Sequence, residues 1–390
     1  MPIYEFLAKY ERWITNGRDD YCDLAVGNPQ TMPLEGFVKT LREATTPRNT
    51  LWYAYKTNEP SSREIVRASL KHLTGLDYPP ENIFLTNGAT GALLVTMNAL
   101  IGPHDEVIFN NPPWFFYEGM ILNSGGTPVS VDTDPHSFDL DIEAIRKAIT
   151  DNTRFVIVNS PNNPTGKVYS PDTLVKLSNV LDDASKQIGR SIYLVSDEAY
   201  RTIVYDGALF HSPTKFYKNS IMIYTYGKTL LTPGQRVGYI ALSPYMDDLE
   251  GLRAIVYSNQ ILSGWAMTSA LMQHCLPQLE HLSLDVNALQ RRRDRFVSGL
   301  RECGYEVRVP EGAFYLIPKS PIEDDVRFCE ILANEGVFCL PGSVVRMPGY
   351  LRASLTASDE MIKRALPIFA AARERSKTGY KCIRPFSRES

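Results

Sequence analysis

From about residue 80 onward the chain alternates short apolar runs with segments of helical periodicity, and this alternation restricts its fold more than any other feature. Strand-like runs are read at Asn82–Thr86, Glu106–Phe109, Phe155–Asn159, Ile192–Ser196, Ile221–Tyr224 and Val237–Leu242. Helical segments such as Thr90–Leu100 and Pro171–Lys186 lie between them. In the second, Leu174, Leu177, Val180 and Leu181 recur at spacings of three and four. Strands that alternate with amphipathic helices form a largely parallel α/β sheet covered on both faces, because each parallel pair needs a crossover. The pattern changes before residue 50 and after about 280. A long helical stretch (Leu282 to Cys303) there leads into shorter strands and a final helix near Asp359–Arg373. The two chain ends are expected to fold together as a smaller α+β domain: 1–48 joins it, 49–282 forms the large domain, 283–375 completes the small one, and 376–390 is a loose polar tail.

Composition narrows the function. With 390 residues, 44% apolar and 22% charged, the chain reads as a soluble globular enzyme. A net charge of −3 offers no basic footprint for nucleic acid or a membrane surface. No apolar run reaches the ~18 residues of a membrane span, and Met1–Trp13 lacks the apolar core of a signal peptide. Cys22, Cys275, Cys303, Cys329, Cys339 and Cys382 are scattered without metal-ligand spacing, so reduced thiols in a cytoplasmic protein are expected, and no metal.

The chemistry-bearing residues fall at strand ends, where open α/β sheets bind ligands. Lys228 follows the apolar run Ile221–Tyr224, in Tyr224-Thr225-Tyr226-Gly227-Lys228-Thr229, and Arg236 follows eight residues later. Burial and a neighbouring cation both favour a neutral, nucleophilic amine able to form a Schiff base. Asn87-Gly88-Ala89-Thr90-Gly91 follows one strand and opens a helix, an arrangement that suits an anion and equally a tight turn. Ser160-Pro161-Asn162-Asn163-Pro164-Thr165-Gly166 follows another strand and either builds a turn or presents the Asn163 amide to a ligand oxygen. Asp197, in Ser196-Asp197-Glu198-Ala199-Tyr200, ends a third. A buried carboxylate there serves as a helix cap, an ion-pair partner or a fixed anion facing a protonated ring nitrogen. A lysine for an aldehyde, an aspartate for a pyridinium, Asn163 and Tyr200 for a phenolic oxygen, and Gly88–Thr90 with Arg236 for a phosphate together describe pyridoxal 5'-phosphate.

On these motifs, from about Asp23 to Arg373, the chain resembles the class I/II aminotransferases of the aspartate-aminotransferase fold, the fold-type I enzymes dependent on pyridoxal phosphate. The resemblance implies catalytic roles for Lys228, Asp197 and Tyr200, with Lys228 binding the cofactor aldehyde and shuttling the substrate proton. It implies that Gly88, Ala89, Thr90, Thr225 and Arg236 hold the phosphate, that Trp114 stacks on the ring, and that Asn163 and Tyr200 bond its hydroxyl oxygen. Arg352, in Tyr350-Leu351-Arg352-Ala353-Ser354, matches the arginine that grips the substrate α-carboxylate, and Gly27 and Asn163 line the substrate pocket. Tyr53, with Tyr55 the less favoured register, matches a tyrosine that reaches the phosphate of a second subunit, which implies a homodimer with shared sites. Three positions depart from the family pattern: Gly227 where serine is common, Asn28 where an acid is usual, and Gln235 where tryptophan is frequent.

Two other readings compete. Gly88-Ala89-Thr90-Gly91 with Tyr224-x-x-x-Lys228 mimics a short-chain dehydrogenase, but Leu94 replaces the third fingerprint glycine and about 80 residues precede the motif. Within the resembling family, the expected reaction is amino-group transfer from an α-amino acid to a 2-oxo acid. The alternative is elimination, replacement or cyclisation of a modified, hydroxylated-arginine-like amino acid, as in enzymes similar to capreomycidine synthase.

Overall fold

In the computed structural model, which describes residues 2–15 and 20–377, the apolar runs from residue 83 onward become one seven-stranded sheet. The chain opens with α1 (Pro2–Thr15) and β1 (Cys22–Asp23), which belong to a smaller unit. The larger unit spans Met32–Asn287 and Pro310–Ala313. It begins with α2 (Glu35–Ala44) and α3 (Pro60–Thr74). Then follow β2 (Ile83–Thr86), α4 (Gly88–Leu100), β3 (Glu106–Asn111), α5 (Tyr117–Asn123), β4 (Thr127–Asp132) and α6 (Ile142–Ala148). After them come β5 (Thr153–Asn159), α7 (Pro171–Ile188), β6 (Tyr193–Asp197), β7 (Ser220–Thr225), the single-turn α8 (Tyr226–Thr229), β8 (Gly238–Leu242), α9 (Leu249–Leu262) and α10 (Ala270–Leu279).

The strand order is β2-β8-β7-β6-β5-β3-β4. From β7 to β4 every pair is parallel, whereas β8 runs antiparallel to both β7 and β2. Only β8 is reversed, so its first residue lies on the sheet edge where the other six strands end. Apart from the edge strand β4, the strands are apolar on both faces, as parallel strands buried on both sides must be. Phe84, Phe109, Phe155, Val195, Ile223 and Ile240 enter one core beneath α4, α5 and α9. Alternate residues such as Leu85, Met222 and Tyr239, or Ile108, Val156 and Leu194, enter cores on the opposite face. The edge strand β4 is absent from the sequence expectation. It is largely solvent-facing and carries Pro128, which an edge strand tolerates, so its apolar signal is weak.

Local signals fix the helices that aim the strand-end loops. α7 is capped by Ser170, whose side chain accepts the Thr173 amide. It starts on Pro171 and stops at Gly189 in the left-handed conformation (φ 77°), so both ends are satisfied without competing side chains.

The smaller unit is built from the described residues of Met1–Thr31, Ala288–Val309 and Phe314–Ser390. It contains most of α11 (Val286–Glu302), then β9 (Tyr315–Leu316), α12 (Asp325–Asn334), β10 (Val337–Phe338), β11 (Leu340–Pro341), β12 (Leu351–Ser354) and α13 (Asp359–Lys377). β1 pairs parallel with β10, and β11-β12-β9 form an antiparallel sheet. Phe6, Tyr10 and Trp13 of α1 pack with Tyr21 and Phe338 in one aromatic cluster. α13 runs on through Ser376 and Lys377, and the remainder of the expected tail, 378–390, lies outside the described residues. Among the described residues no helix is long and apolar enough to cross a membrane, and no cluster of His, Cys, Asp or Glu could hold a metal. Five free cysteines are described, and Cys382 lies outside that range.

If the cap of α7 matters as argued, Ser170→Ala should lower stability by about 1 kcal/mol. Urea unfolding followed by circular dichroism measures it, and an unchanged midpoint would show that α7 is held by packing alone.

Candidate active site

Asn159 and Asp197 end adjacent parallel strands in direct register, and Thr225 and Thr86 both pair with Gly238 at the start of β8. These positions form one row along the sheet edge, from which the loops bearing Gly88, Asn163, Tyr200, Lys228 and Arg236 project.

Asp197 is buried and shares its face of β6 with Tyr193 and Val195. Its Oδ2 accepts the Tyr117 hydroxyl at 2.6 Å, and its Oδ1 accepts the Ala199 amide at 3.2 Å. Burial raises the Asp197 carboxyl above the ordinary aspartate range, while the Tyr117 hydroxyl, the Ala199 amide and the Lys228 charge pull it back. Tyr117 is itself pushed well above the usual phenol range, first by burial and then by the Asp197 charge. It therefore remains a hydrogen-bond donor. The sequence reading passed over Tyr117 because it lay within an aromatic run. A polar tip on a buried apolar body is the signal that could have found it.

Asn159 joins the Asp197 strand to the Asn163 loop. Its Nδ2 donates to the Asp197 carbonyl at 3.0 Å, and its Oδ1 accepts the Asn163 amide at 2.7 Å. Asn163 and Tyr200 are both buried. Lys228, half-buried on α8, places its Nζ 5.8 Å from the centroid of the Tyr200 ring. Trp114 is half-buried and meets Tyr117 edge-on, with centroids 5.4 Å apart.

Hydroxyls beneath α8 hold it in place. Thr229 Oγ1 lies 2.9 Å from the Tyr224 hydroxyl and 2.8 Å from Thr202 Oγ1, tying the lysine turn to the segment after Asp197. Arg201, fully buried, stacks 3.7 Å over the Tyr224 ring and lies 3.7 Å from Glu198, whose carboxyl burial pushes up to about 7. The departure at Gly227 has a steric reason: a Cβ there would stand 3.1 Å from the Pro233 Cα.

An anion notch lies at the other end of the row. Gly88 has φ +71° and opens α4, where the first amides lack intrahelical acceptors. A Cβ at Gly88 would stand 2.8 Å from Arg236 Nη2 and 3.3 Å from Thr225 Oγ1. Glycine thus leaves a space bounded by a guanidinium, a hydroxyl and a helix N-terminus that continues into Ala89 and Thr90, donors suited to a phosphate.

In the smaller unit Arg352 is buried on β12. Its Nη2 donates to the Ala25 carbonyl at 2.9 Å, and its guanidinium carbon lies 4.2 Å over the Tyr315 ring. Gly27 approaches the same ring, for a Cβ there would stand 2.7 Å from the Tyr315 hydroxyl oxygen. Tyr315 is a second residue that the sequence reading missed. Tyr53 lies on an exposed loop of the larger unit and donates to the Thr45 carbonyl, while the more exposed Tyr55 packs near Trp265.

The fold and this arrangement of strand-end loops define a class. The chain belongs to the class I and II aminotransferases, whose family model matches residues 19–369. It is 33% identical over 360 residues to the probable aspartate/prephenate aminotransferase of Thermus aquaticus, covering 90% of this chain and 91% of that one. It is 31% identical to the probable aspartate aminotransferase of Methanocaldococcus jannaschii, covering 90% and 92%. A solved amino transferase from Eubacterium rectale superposes with a TM-score of 0.88 at 32% identity, covering 95% and 94%. Thermus thermophilus aspartate aminotransferase with maleate gives 0.82 at 28%, covering 94% and 96%. The aspartate-aminotransferase fold expected from the sequence is the fold observed, and the chain is an aminotransferase. These relatives favour neither the elimination or cyclisation alternative nor the dehydrogenase reading.

The Tyr117–Asp197 bond makes a prediction for the protein without cofactor. Burial raises the folded-state carboxyl above its unfolded value, so the stability it contributes is present below the unfolded value and lost as pH rises through the folded one. The Tyr117 hydroxyl offsets that loss only while Asp197 is charged. Tyr117→Phe should therefore cost about 2 kcal/mol at mildly alkaline pH and progressively less toward acid. Denaturant midpoints across pH measure this difference, and a penalty independent of pH would mean that the bond does not stabilise the anion.

Proposed function

We propose that this chain transfers the amino group of an α-amino acid to a 2-oxo acid, using pyridoxal 5'-phosphate held by the larger unit. The observation that carries this reading is the common origin of Lys228, Asp197 and the Gly88–Thr225–Arg236 notch at neighbouring strand ends of one sheet. These groups match the three polar ends of the cofactor: an amine for its aldehyde, a buried acid for its ring nitrogen, and an anion notch for its phosphate. When bound, the cofactor supplies an electron sink for the pair left on the substrate α-carbon as its proton departs.

The protein's own residues perform the remaining tasks. Asp197, whose charged form is favoured by the Tyr117 hydroxyl and the Ala199 amide, would hold a proton on the ring nitrogen. Asn163 and Tyr200 bond the ring hydroxyl oxygen, with Asn163 fixed from behind by Asn159. Trp114 covers a face of the ring. The Lys228 amine would hold the cofactor by its aldehyde and, as a free amine, would carry the α-proton as general base and acid. Arg352 grips the α-carboxylate by paired hydrogen bonds, and Gly27 leaves room for the substrate. We further propose a cytoplasmic homodimer in which Tyr53, on its exposed loop, reaches the phosphate bound by a second copy. Aspartate is the first donor to test, because several relatives carry its name.

Hydride reduction of the enzyme loaded with pyridoxal phosphate should fix one cofactor mass on the peptide containing Lys228, and Lys228→Ala should abolish both that adduct and at least about 10²–10⁴-fold of the turnover. Mixed with an amino donor and no acceptor, the loaded enzyme should release one 2-oxo acid per site and then stop. Continuous release of ammonia, or an amino acid that loses water or cyclises, would overturn the transfer reading.

A further inference from the structure

The smaller unit contains a buried carboxylate that the proposed chemistry leaves unused. Asp23, 3% exposed, ends β1. Its Oδ2 accepts the hydroxyl of Tyr10, from α1, at 2.7 Å. Its Oδ1 accepts the Ala25 amide at 3.0 Å. A buried acid is costly unless its oxygens are matched in this way. What the arrangement fixes is Ala25, held at its amide by Asp23 and, behind Asp23, by the Tyr10 hydroxyl. The carbonyl of the same residue accepts Arg352 Nη2 at 2.9 Å.

The same construction occurs at Asp197. In both places a tyrosine hydroxyl bonds Oδ2 (2.6 Å from Tyr117, 2.7 Å from Tyr10) and the amide two residues onward bonds Oδ1 (3.2 Å from Ala199, 3.0 Å from Ala25). In the larger unit this device holds a carboxylate proposed to act directly. In the smaller unit it holds a carboxylate that acts through Ala25. Tyr315, beneath the guanidinium carbon at 4.2 Å, restrains Arg352 from a second direction.

We propose that Tyr10 and Asp23 are positioning residues that aim the Arg352 guanidinium through Ala25, so that helix α1 sets the affinity for the amino acid's α-carboxylate. This inference rests on the assignment of Arg352 to that carboxylate. It separates Tyr10 from an ordinary core tyrosine, whose loss would lower stability without acting selectively on one ligand.

The experiment compares loaded wild-type enzyme with Tyr10→Phe, Asp23→Asn and Arg352→Ala. Tyr10→Phe should raise the KM for the amino acid about five- to tenfold, less than the full effect of a hydrogen bond to a charged acceptor because Tyr10 acts at second hand, and change kcat less than about twofold. Asp23→Asn should act in the same direction. The thermal upshift given by saturating amino acid should shrink in both variants, while that given by pyridoxal phosphate alone should not. An unchanged KM in Tyr10→Phe, or a fall in kcat and melting temperature with no change in KM, overturns the relay. If Arg352→Ala also leaves the KM unchanged, the assignment of Arg352 has failed instead, so the two failures are told apart.

Discussion

The register between β5, β6 and β7 is the constraint on which the proposed site depends. Asp197 lies opposite Asn159 on one side and Ile223 on the other, so its place in the sheet is fixed by two parallel ladders. Side chains alternate along a strand, and a slip of one residue would turn the carboxylate from the Tyr117 side into the opposite core. Continuous burial on both faces prevents that slip, since Val195 packs in an apolar core while Ser196 on the other face donates to Glu198. The reversed strand adds the last part. Because β8 begins where its neighbours end, Arg236 arrives at the same edge as Gly88 and Thr225 without a crossover of its own.

A row of polar groups at such an edge is only as well placed as the turns that carry it. α8 is one turn long, too short for stability from its own backbone bonds, and it is held from outside. Thr225 caps it, Thr229 bonds the hydroxyls of Tyr224 and Thr202, and Arg201 fills the space beneath with a cation stacked on Tyr224. Buried cations of this kind need compensation. Glu198 provides it at 3.7 Å, near enough to oppose the charge yet held mainly by the hydroxyls of Ser196 and Ser212. Lys228 thus stands on a rigid polar floor, while Gly227 concedes its side chain to the Pro233 backbone.

Much of this was legible in the sequence because the larger unit is written in strong signals. Six of the seven strands of its sheet are apolar runs, three of which end in Asn or Asp, and its turns carry the residue types their chemistry requires. β4 escaped notice because an edge strand need not be apolar. α10 escaped because Pro277 and Gln273 interrupt its periodicity, although Gln273 is buried and bonds the backbone at Glu59 and Thr268. Tyr117, Asn159 and Tyr315 were missed for a different reason. Each acts by supporting another residue, and support is a relation in space that no spacing along the chain encodes.

The supporting residues also show where free energy is invested. Asp197 and Asp23 are both withdrawn from water, and each would be cheaper to fold as a neutral side chain. The acceptor oxygens of each are met by one tyrosine hydroxyl from a separate helix and by the amide two residues downstream. Burial raises both carboxyls above the ordinary aspartate range, and these donors pull each of them back toward the charged form. At Asp23 the same donors tie α1 to Ala25, whose carbonyl accepts Arg352. An acid rather than an asparagine suits the position because both of its oxygens accept, whereas an amide presents one acceptor oxygen and one donor nitrogen to the two donors.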